Sequence, residues 1–175
     1  MMKVWMLVGC AVLLVHSAQA ATPSSAYTSL NTPTCKTLES DEEGSGWYKG
    51  QCKGIAGYSL QVTEGDLRQS INVVTPQGKV HELDLISKVS SGFSALGEKA
   101  EWRMLKQGSS TQPIALIVRY NASEDPEDSS KITSYLVVSK VTKQSICVTD
   151  IVKPQAKANE KARQLADKAS TRPCK

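Results

Sequence analysis

Two clusters of charged residues are the best candidates for chemistry in this sequence. Glu64 and Asp66 flank a glycine and precede Arg68, and Glu101 and Arg103 flank a tryptophan. Paired carboxylates are the acid and base of glycosidases, so these residues could serve a small hydrolase. The alternative is structural. Glu64 and Asp66 would then shape a tight turn, while Glu101 and Arg103 would share one strand face as a surface ion pair worth under about 1 kcal/mol.

Other catalytic and metal-binding patterns are weak. His81 is the one histidine after residue 20, and neither GxSxG nor SxxK occurs, so the sequence offers no base and nucleophile for a serine hydrolase. We interpret His81 as a surface histidine in a strand. The acidic segments 39–44 and 124–128 could bind calcium weakly, but Gly50 stands where an EF-hand loop starting at residue 39 needs glutamate. We therefore interpret both segments as solvated loops and predict no metal and no cofactor.

Nucleic acid is an unsuitable partner for this chain. Aromatic residues make up 5% of the sequence, and no basic stretch is interleaved with them. Single-stranded nucleic acid is bound by such a combination of positive charge and aromatic stacking. We expect a protein or a cell-wall component as the partner instead.

The cysteines indicate a disulfide-supported fold. Four follow residue 20, namely Cys35, Cys52, Cys147 and Cys174, and an even number in an exported chain favours disulfides. Zinc is disfavoured because no CxxC occurs. Four cysteines allow three pairings. We favour Cys35–Cys52 with Cys147–Cys174, because each bond closes a short segment at one end of the chain and contributes about 3 kcal/mol in the chain-entropy model.

The first twenty residues have the pattern of a secretory signal peptide. Lys3 precedes an apolar run, residues 4–15, and residues 18–20 (Ala-Gln-Ala) match a signal-peptidase site. The run is shorter than the roughly 20 residues that span a bilayer. Cleavage near Ala20 predicts a periplasmic or secreted protein. Residues 7–10 (Leu-Val-Gly-Cys) also match a bacterial lipobox, so lipidation of Cys10 is an open alternative.

The elements that must position these residues are mostly strands. Residues 21–34 are rich in Ser, Thr, Pro and Ala and are expected to be a flexible leader to one domain, residues 35–175. The acidic segment 121–131 predicts an exposed hairpin loop. Three kinds of pattern indicate strands: apolar and polar residues alternate in segments such as 58–62, residues 114–120 form a dense apolar run, and residues 132–141 are rich in β-branched side chains. Together they predict about eight short strands, at 47–52, 58–62, 67–74, 79–85, 100–106, 114–120, 132–141 and 145–152.

A change of period after Pro154 predicts a C-terminal helix over residues 155–169. Its apolar stripe is mostly alanine, and Cys174 would pin the helix to the sheet. The resulting fold class is α+β, a mostly antiparallel sheet with one helix. Residues 153–175 contain seven basic and two acidic side chains, so the helix could contact anionic lipid or polymer. A solvated helix face is the alternative.

The sequence resembles small exported proteins of proteobacteria whose role is uncharacterised. The residues that carry this likeness are Trp47, 52–58 (CKGIAGY), 64–70 (EGDLRQS), 101–103 (EWR) and 158–163 (ANEKAR). The resemblance covers most of the chain after the signal. It implies a periplasmic location and the cysteine framework, and it carries over no activity.

Three functional hypotheses remain. The first is a non-enzymatic periplasmic or secreted binding domain, for instance an inhibitor that plugs a basic lysozyme with the acidic loop 121–131. The second is a small periplasmic hydrolase that uses its carboxylates. The third is a structural protein of the envelope surface that binds through its basic C-terminal helix. A pocket that gathers several carboxylates with Arg68 would favour the enzyme, and their dispersal would count against it.

Overall fold

The structure is a computed structural model that describes residues 21–41 and 46–175. The segment predicted to be a signal peptide, with Cys10, and part of the acidic segment 39–44 lie outside these residues. Ten strands form one sheet: β1 (Ser24–Ser29), β2 (Lys36–Ser40), β3 (Tyr48–Lys53), β4 (Ser59–Gly65), β5 (Arg68–Val74), β6 (Val80–Glu82), β7 (Ser94–Gln107), β8 (Ser110–Ser123), β9 (Ile132–Val141) and β10 (Ile146–Val152). The helices are α1 (Leu85–Lys88) and α2 (Ala158–Ala166), with 3-10 turns at Thr32–Thr34 and Ala169–Thr171.

The sheet consists of two antiparallel halves joined at one point. The strand order is β10-β9-β8-β7-β5-β4-β3-β2, with β1 added to β7 and β6 added to β5. β5 and β7 meet in parallel at Arg68 and Ser94, whereas every other pairing is antiparallel. β6 also contacts β10. The main core therefore lies between the halves, and it combines Leu60, Ile71 and Val73 with Trp102, Leu116, Val118, Tyr120 and Val148.

α2 covers part of the outer face of the half of the sheet that contains β8, β9 and β10. Ala162 and Ala166 of the helix are buried against Ala115, Ile117, Leu136, Val138 and Val152 of β8, β9 and β10. The alanine stripe lets the helix lie close to the sheet, as the sequence predicts, but each alanine removes little apolar area from water. In the described part of the chain, no helix combines the length and the apolar character that crossing a bilayer requires.

The number of strands and the conformation of residues 21–34 differ from the sequence prediction. The described residues contain ten strands instead of about eight. The sequence pattern does not predict β1 and β2, because both are mostly polar and have no apolar alternation. The expected flexible leader contains β1, which pairs with β7 along its whole length. Thr28 in β1 is buried and accepts a hydrogen bond of 2.9 Å from the indole of Trp102. Tertiary contacts thus order a segment whose composition is that of a loop.

Both disulfides are present, in the pairs that the sequence favours. Cys35–Cys52 closes a 17-residue separation and joins β3 to the residue that precedes β2. Cys147–Cys174 closes a 27-residue separation and joins β10 to the chain beyond α2. The backbone amide of Lys175 also donates to Val148 at 2.9 Å. The C-terminus is therefore held on the edge of the sheet by a covalent bond and a hydrogen bond.

Candidate functional site

Glu101 and Arg103 belong to an ion-pair network that α2 completes. The network consists of these two residues with Arg163 and Asp167 of the helix segment. Arg103 donates to both carboxylate oxygens of Asp167, at 2.7 and 3.0 Å, and Arg163 donates to both of Glu101, at 2.7 and 3.1 Å. Nη1 of Arg103 lies 3.7 Å from Oε1 of Glu101. Two bidentate pairs in one place fix the orientation of α2 on β7.

The network is much less exposed than a surface ion pair. The side chains of Arg103 and Glu101 are 8% and 12% exposed, so of the two alternatives that the sequence leaves open, a polar site and a surface ion pair, the second does not describe them. Burial alone would raise the pKa of Glu101, but hydrogen bonds from Arg163 and Ser25 outweigh it and hold the pKa below its usual value. Glu101 is thus an ionised acceptor with its oxygens occupied. Such a carboxylate is poorly suited to proton transfer.

Glu64, Asp66 and Arg68 lie in a different region, at the turn between β4 and β5. Asp66 and Leu67 have positive φ angles of 50° and 57°, and Arg68 pairs with the Asp66 carboxylate across this turn. Glu64 accepts a 2.7 Å hydrogen bond from Gln69. The structure therefore does not bring this cluster together with Glu101, and both acids have the turn-shaping contacts that the structural alternative predicts.

Arg68 also connects the turn to the segment before β7. Its Nε donates to the Ser91 carbonyl at 2.8 Å, and its guanidinium lies 5.0 Å from the centre of the Phe93 ring. Phe93 is nevertheless 45% exposed. An aromatic ring that is held from one side and open on the other can serve as an anchor for a protein partner.

The β8–β9 loop, residues 124–131, is acidic and held in one conformation by its own hydrogen bonds. Asp125 accepts from the backbone amide of Glu127 at 2.9 Å and from Lys131 Nζ at 2.7 Å. Asp128 accepts from the backbone amide of Ser130 at 3.1 Å. Such bonds between a side chain and a nearby amide order a loop locally. The predicted loop began at residue 121, but β8 continues to Ser123.

Two acids of this loop are ionised more readily than usual. Burial would raise the pKa of Glu124, but hydrogen bonds from Tyr135, Thr133 and Ser90 outweigh it and lower that pKa. The Tyr135 hydroxyl donates to Glu124 at 2.7 Å, and burial together with this bond raises the pKa of Tyr135 to about 12. The hydrogen bond from Lys131 is the largest of the effects that lower the pKa of Asp125. Glu124 and Asp125 therefore keep their negative charge in mildly acidic solution.

A shallow cavity of about 490 Å³ lies between this loop and Phe93. Its lining includes Arg68, Ser91, Phe93, Glu124 and Pro126. We call residues 124–131 together with Phe93 the acidic-loop surface. Sequence reasoning identified the loop but missed Phe93, because a single phenylalanine in a Ser- and Gly-rich connection has no periodic pattern around it. The available signal was that Phe93 is the one phenylalanine in the chain.

The basic C-terminal segment has less unpaired charge than its composition indicates. Arg163 is bound by Glu101, and Arg172 forms a bidentate pair with Asp150 of β10. Lys157 lies 3.7 Å from Glu160. Much of the positive charge therefore attaches the segment to the sheet or is matched within the helix. Lys161 and Lys168 are the exposed cations that α2 and the turn after it keep towards solvent.

His81 lies apart from any group of acidic side chains that could form a metal centre in the described part of the chain. His81 lies half-buried in β6, and burial followed by the charge of Lys79 lowers its pKa. Within residues 21–41 and 46–175, no three His, Cys, Asp or Glu side chains are grouped so that they could hold a metal ion. No protein-family model, no curated protein and no solved structure matches this chain.

Proposed function

We propose that this protein is an exported, non-enzymatic binding domain that inhibits a basic cell-wall hydrolase of the lysozyme type. The observation that carries the proposal is the acidic-loop surface. Its acids are ordered by local hydrogen bonds, and Phe93 lies 45% exposed across a cavity of about 490 Å³. A preorganised loop loses little conformational entropy on binding, and an aromatic anchor beside it adds apolar contact.

Charge supports a basic partner. Residues 124–131 contain Glu124, Asp125, Glu127 and Asp128 against a single cation, Lys131. An acidic patch accelerates association with a basic protein and disfavours acidic partners. The lowered pKa values of Glu124 and Asp125 preserve this charge when the surroundings become mildly acidic. A rigid acidic loop of this size is suited to entering the cleft of a basic hydrolase.

The arrangement of the remaining carboxylates favours binding over hydrolysis. Glu101 and Asp167 are saturated by arginines, and Glu64 is bound by Gln69 in a separate region. A retaining or inverting glycosidase needs two carboxyl groups facing one substrate. The disulfides Cys35–Cys52 and Cys147–Cys174 favour an oxidising compartment, such as the periplasm or the exterior, in which lysozymes act.

Inhibition of lysozyme tests the proposal directly. The chain without residues 1–20 should inhibit hen egg-white lysozyme in a cell-wall lysis assay at micromolar excess. Glu127→Lys should weaken inhibition at least fivefold, because a cation would enter the acidic loop. Phe93→Ser should weaken it at least tenfold through loss of the aromatic anchor. Unchanged lysozyme activity at micromolar excess of the unmodified protein would refute the proposal.

Matched variants separate the loop from general charge effects. Glu82→Lys makes the same change in net charge on exposed β6, outside the acidic-loop surface, and should leave inhibition within twofold of the unmodified protein. If Glu82→Lys and Glu127→Lys weaken inhibition equally, net charge and not the loop is responsible. Circular dichroism of each variant verifies that the sheet is intact.

A further inference from the structure

A groove runs beside α2 over the part of the outer sheet face that the helix leaves uncovered. It consists of two cavities of about 290 and 470 Å³ that share Arg119, Asn159 and Arg163. Ile117 and Leu136 lie beneath the smaller cavity and are 4% and 5% exposed. We call it the helix-side groove, and define it by Tyr27, Lys99, Arg119, Ser134, Asn159 and Arg163.

Arg119 is a cation of the groove that has no anionic partner in the described part of the chain. It donates to the Ser134 hydroxyl at 2.8 Å and lies 3.5 Å from the Asn159 side-chain oxygen, so both partners are neutral. No carboxylate of the described residues lies within 4.0 Å of its guanidinium. Arg119 is also half-buried, so its charge is incompletely solvated. An anion in the groove would supply the missing partner.

The backbone of β7 is shaped around Arg119. The pairing of β7 with β8 shifts register between Leu96 and Ala100, and Gly97 lies in this irregular segment. A Cβ at Gly97 would be 2.8 Å from the Cβ of Arg119. A side chain there would force Arg119 or the strand to move, so the glycine permits the close approach of β7 to the Arg119 side chain.

The other charges of the groove leave an excess of positive charge. Glu101 is paired with Arg163 and Arg103, and Glu160 is paired with Lys157. Lys99 has no carboxylate partner among the described residues, and its ammonium group lies 5.5 Å from the centre of the Tyr27 ring. Lys99 and Arg119 therefore contribute about two uncompensated cations to one concave surface.

We propose that the helix-side groove binds an anionic glycan, a chain of sugars bearing carboxylate or phosphate groups. The cations would bind the acidic groups, and the side-chain amide nitrogen of Asn159 would donate to sugar hydroxyls, whereas the Ser134 hydroxyl is engaged by Arg119 and by the Asn121 side-chain oxygen. Tyr27 is 52% exposed, and its ring offers a flat apolar surface to the face of a pyranose. Two joined cavities suit several sugar units better than one small anion.

This site is independent of the acidic-loop surface, since the two share no residue. A protein with both would hold an anionic envelope glycan at one site and a basic hydrolase at the other. The groove can therefore be tested without lysozyme, and failure of either proposal leaves the other intact.

Calorimetric titration with defined oligosaccharides is the test. The chain without residues 1–20 should bind tetragalacturonate or a phosphorylated oligomannose at low ionic strength. The neutral methyl ester of tetragalacturonate should bind at least tenfold more weakly, and inorganic phosphate alone should bind more weakly than either charged oligosaccharide. The tighter of the two charged oligosaccharides identifies carboxylate or phosphate as the preferred group.

Variants locate the binding. Arg119→Gln keeps a hydrogen-bond donor for Ser134 and should lower affinity at least tenfold, whereas Lys53→Gln removes one exposed charge elsewhere and should change it less than twofold. Tyr27→Ser should lower affinity at least fivefold with no change in charge, and it serves as the test if Arg119→Gln fails to fold. The proposal is overturned if neither charged oligosaccharide binds, if the methyl ester binds equally well, or if Arg119→Gln and Lys53→Gln have the same effect.

Discussion

The ion-pair network beneath α2 and the β8–β9 loop are built from the same residue types but use them in opposite ways. In the network, Glu101 and Asp167 each accept two hydrogen bonds from an arginine, and the Glu101 side chain is 12% exposed. In the loop, acids bind backbone amides and one lysine whose side chain is 67% exposed. The first region fastens two elements together, while the second presents negative charge to solvent.

Glu101 and Arg103 at the centre of the network are buried, but the side chains of Asp167 in the network and Asp125 in the loop are similarly exposed, at 29% and 30%. The two regions therefore differ in the partner of each carboxylate, which is an arginine of another element in the network and a group of the same loop in the other. A charge that has left water must be matched by a partner, so the network is neutral and its members depend on one another. An exposed ion pair contributes little to stability and leaves its charge available for long-range attraction. Changes in the network should therefore affect folding, whereas changes in the loop should affect partners.

The largest expected effect concerns the covalent bond that holds the network's helix in place. Cys147→Ser with Cys174→Ser should lower the free energy of unfolding by about 2–4 kcal/mol, because the bond restricts a 27-residue segment of the unfolded chain. Hydrogen exchange should show lost protection in Ala158–Ala166 before the sheet.

Removal of the other disulfide is the control for this experiment. Cys35→Ser with Cys52→Ser should destabilise the chain without selectively exposing α2, since that bond lies near β2 and β3. Equal loss of protection in α2 for both pairs would contradict the assignment of Cys147–Cys174 as the anchor of the helix.

Glu101→Gln should have the next largest effect. It replaces the carboxylate partner of Arg163 by a neutral amide, while the buried Arg103 keeps its bidentate pair with Asp167. We expect a loss of about 2 kcal/mol, between the values for exposed and fully buried pairs. Urea unfolding measures this. Glu127→Gln, the same chemical change in the loop, should leave the urea midpoint unchanged within error. An equal loss of unfolding free energy in both variants would contradict the different roles assigned to the two regions.

Acidification should weaken the network in a predictable direction. The pKa of Glu101 is lowered from 4.5 in the folded protein, so the stability it contributes is present above pH 4.5 and is lost as the pH falls through the folded pKa. Unfolding free energies measured between pH 6 and pH 3 should fall less steeply for Glu101→Gln than for the unmodified protein. If the unfolding free energies of the two proteins fall equally steeply with pH, protonation of Glu101 is not linked to folding.

The smallest effect is expected at the base of the loop. Tyr135→Phe removes the hydrogen bond to Glu124, and it should cost about 1 kcal/mol. It should also raise the pKa of Glu124, since that bond is the largest of those that lower it. Carboxyl NMR titration measures the pKa. Tyr27→Phe, which removes a 3.4 Å contact to Arg163, is the control and should leave Glu124 unchanged.

Much of the fold was accessible from the sequence because its signals are local. The many β-branched residues of 132–141 predicted β9 with the bounds that the structure has, Ile132–Val141. The change of period after Pro154 located the C-terminal helix, although α2 covers Ala158–Ala166 and not all of residues 155–169. The spacing of the cysteines favoured the two disulfides that are present. Each of these features depends on neighbours in the chain.

The remaining features depend on contacts between residues distant in the chain. β1 is mostly polar and has no apolar alternation, and it is a strand because β7 offers it backbone partners and Trp102 a hydrogen bond. Glu101 and Arg103 share a face by strand geometry, but their burial required α2, some 60 residues further on, to bring Arg163 and Asp167 over them. Tertiary packing determines which charged side chains are buried and which remain in contact with water. In this protein the buried charges stabilise the fold, and the exposed charges form the candidate functional surfaces.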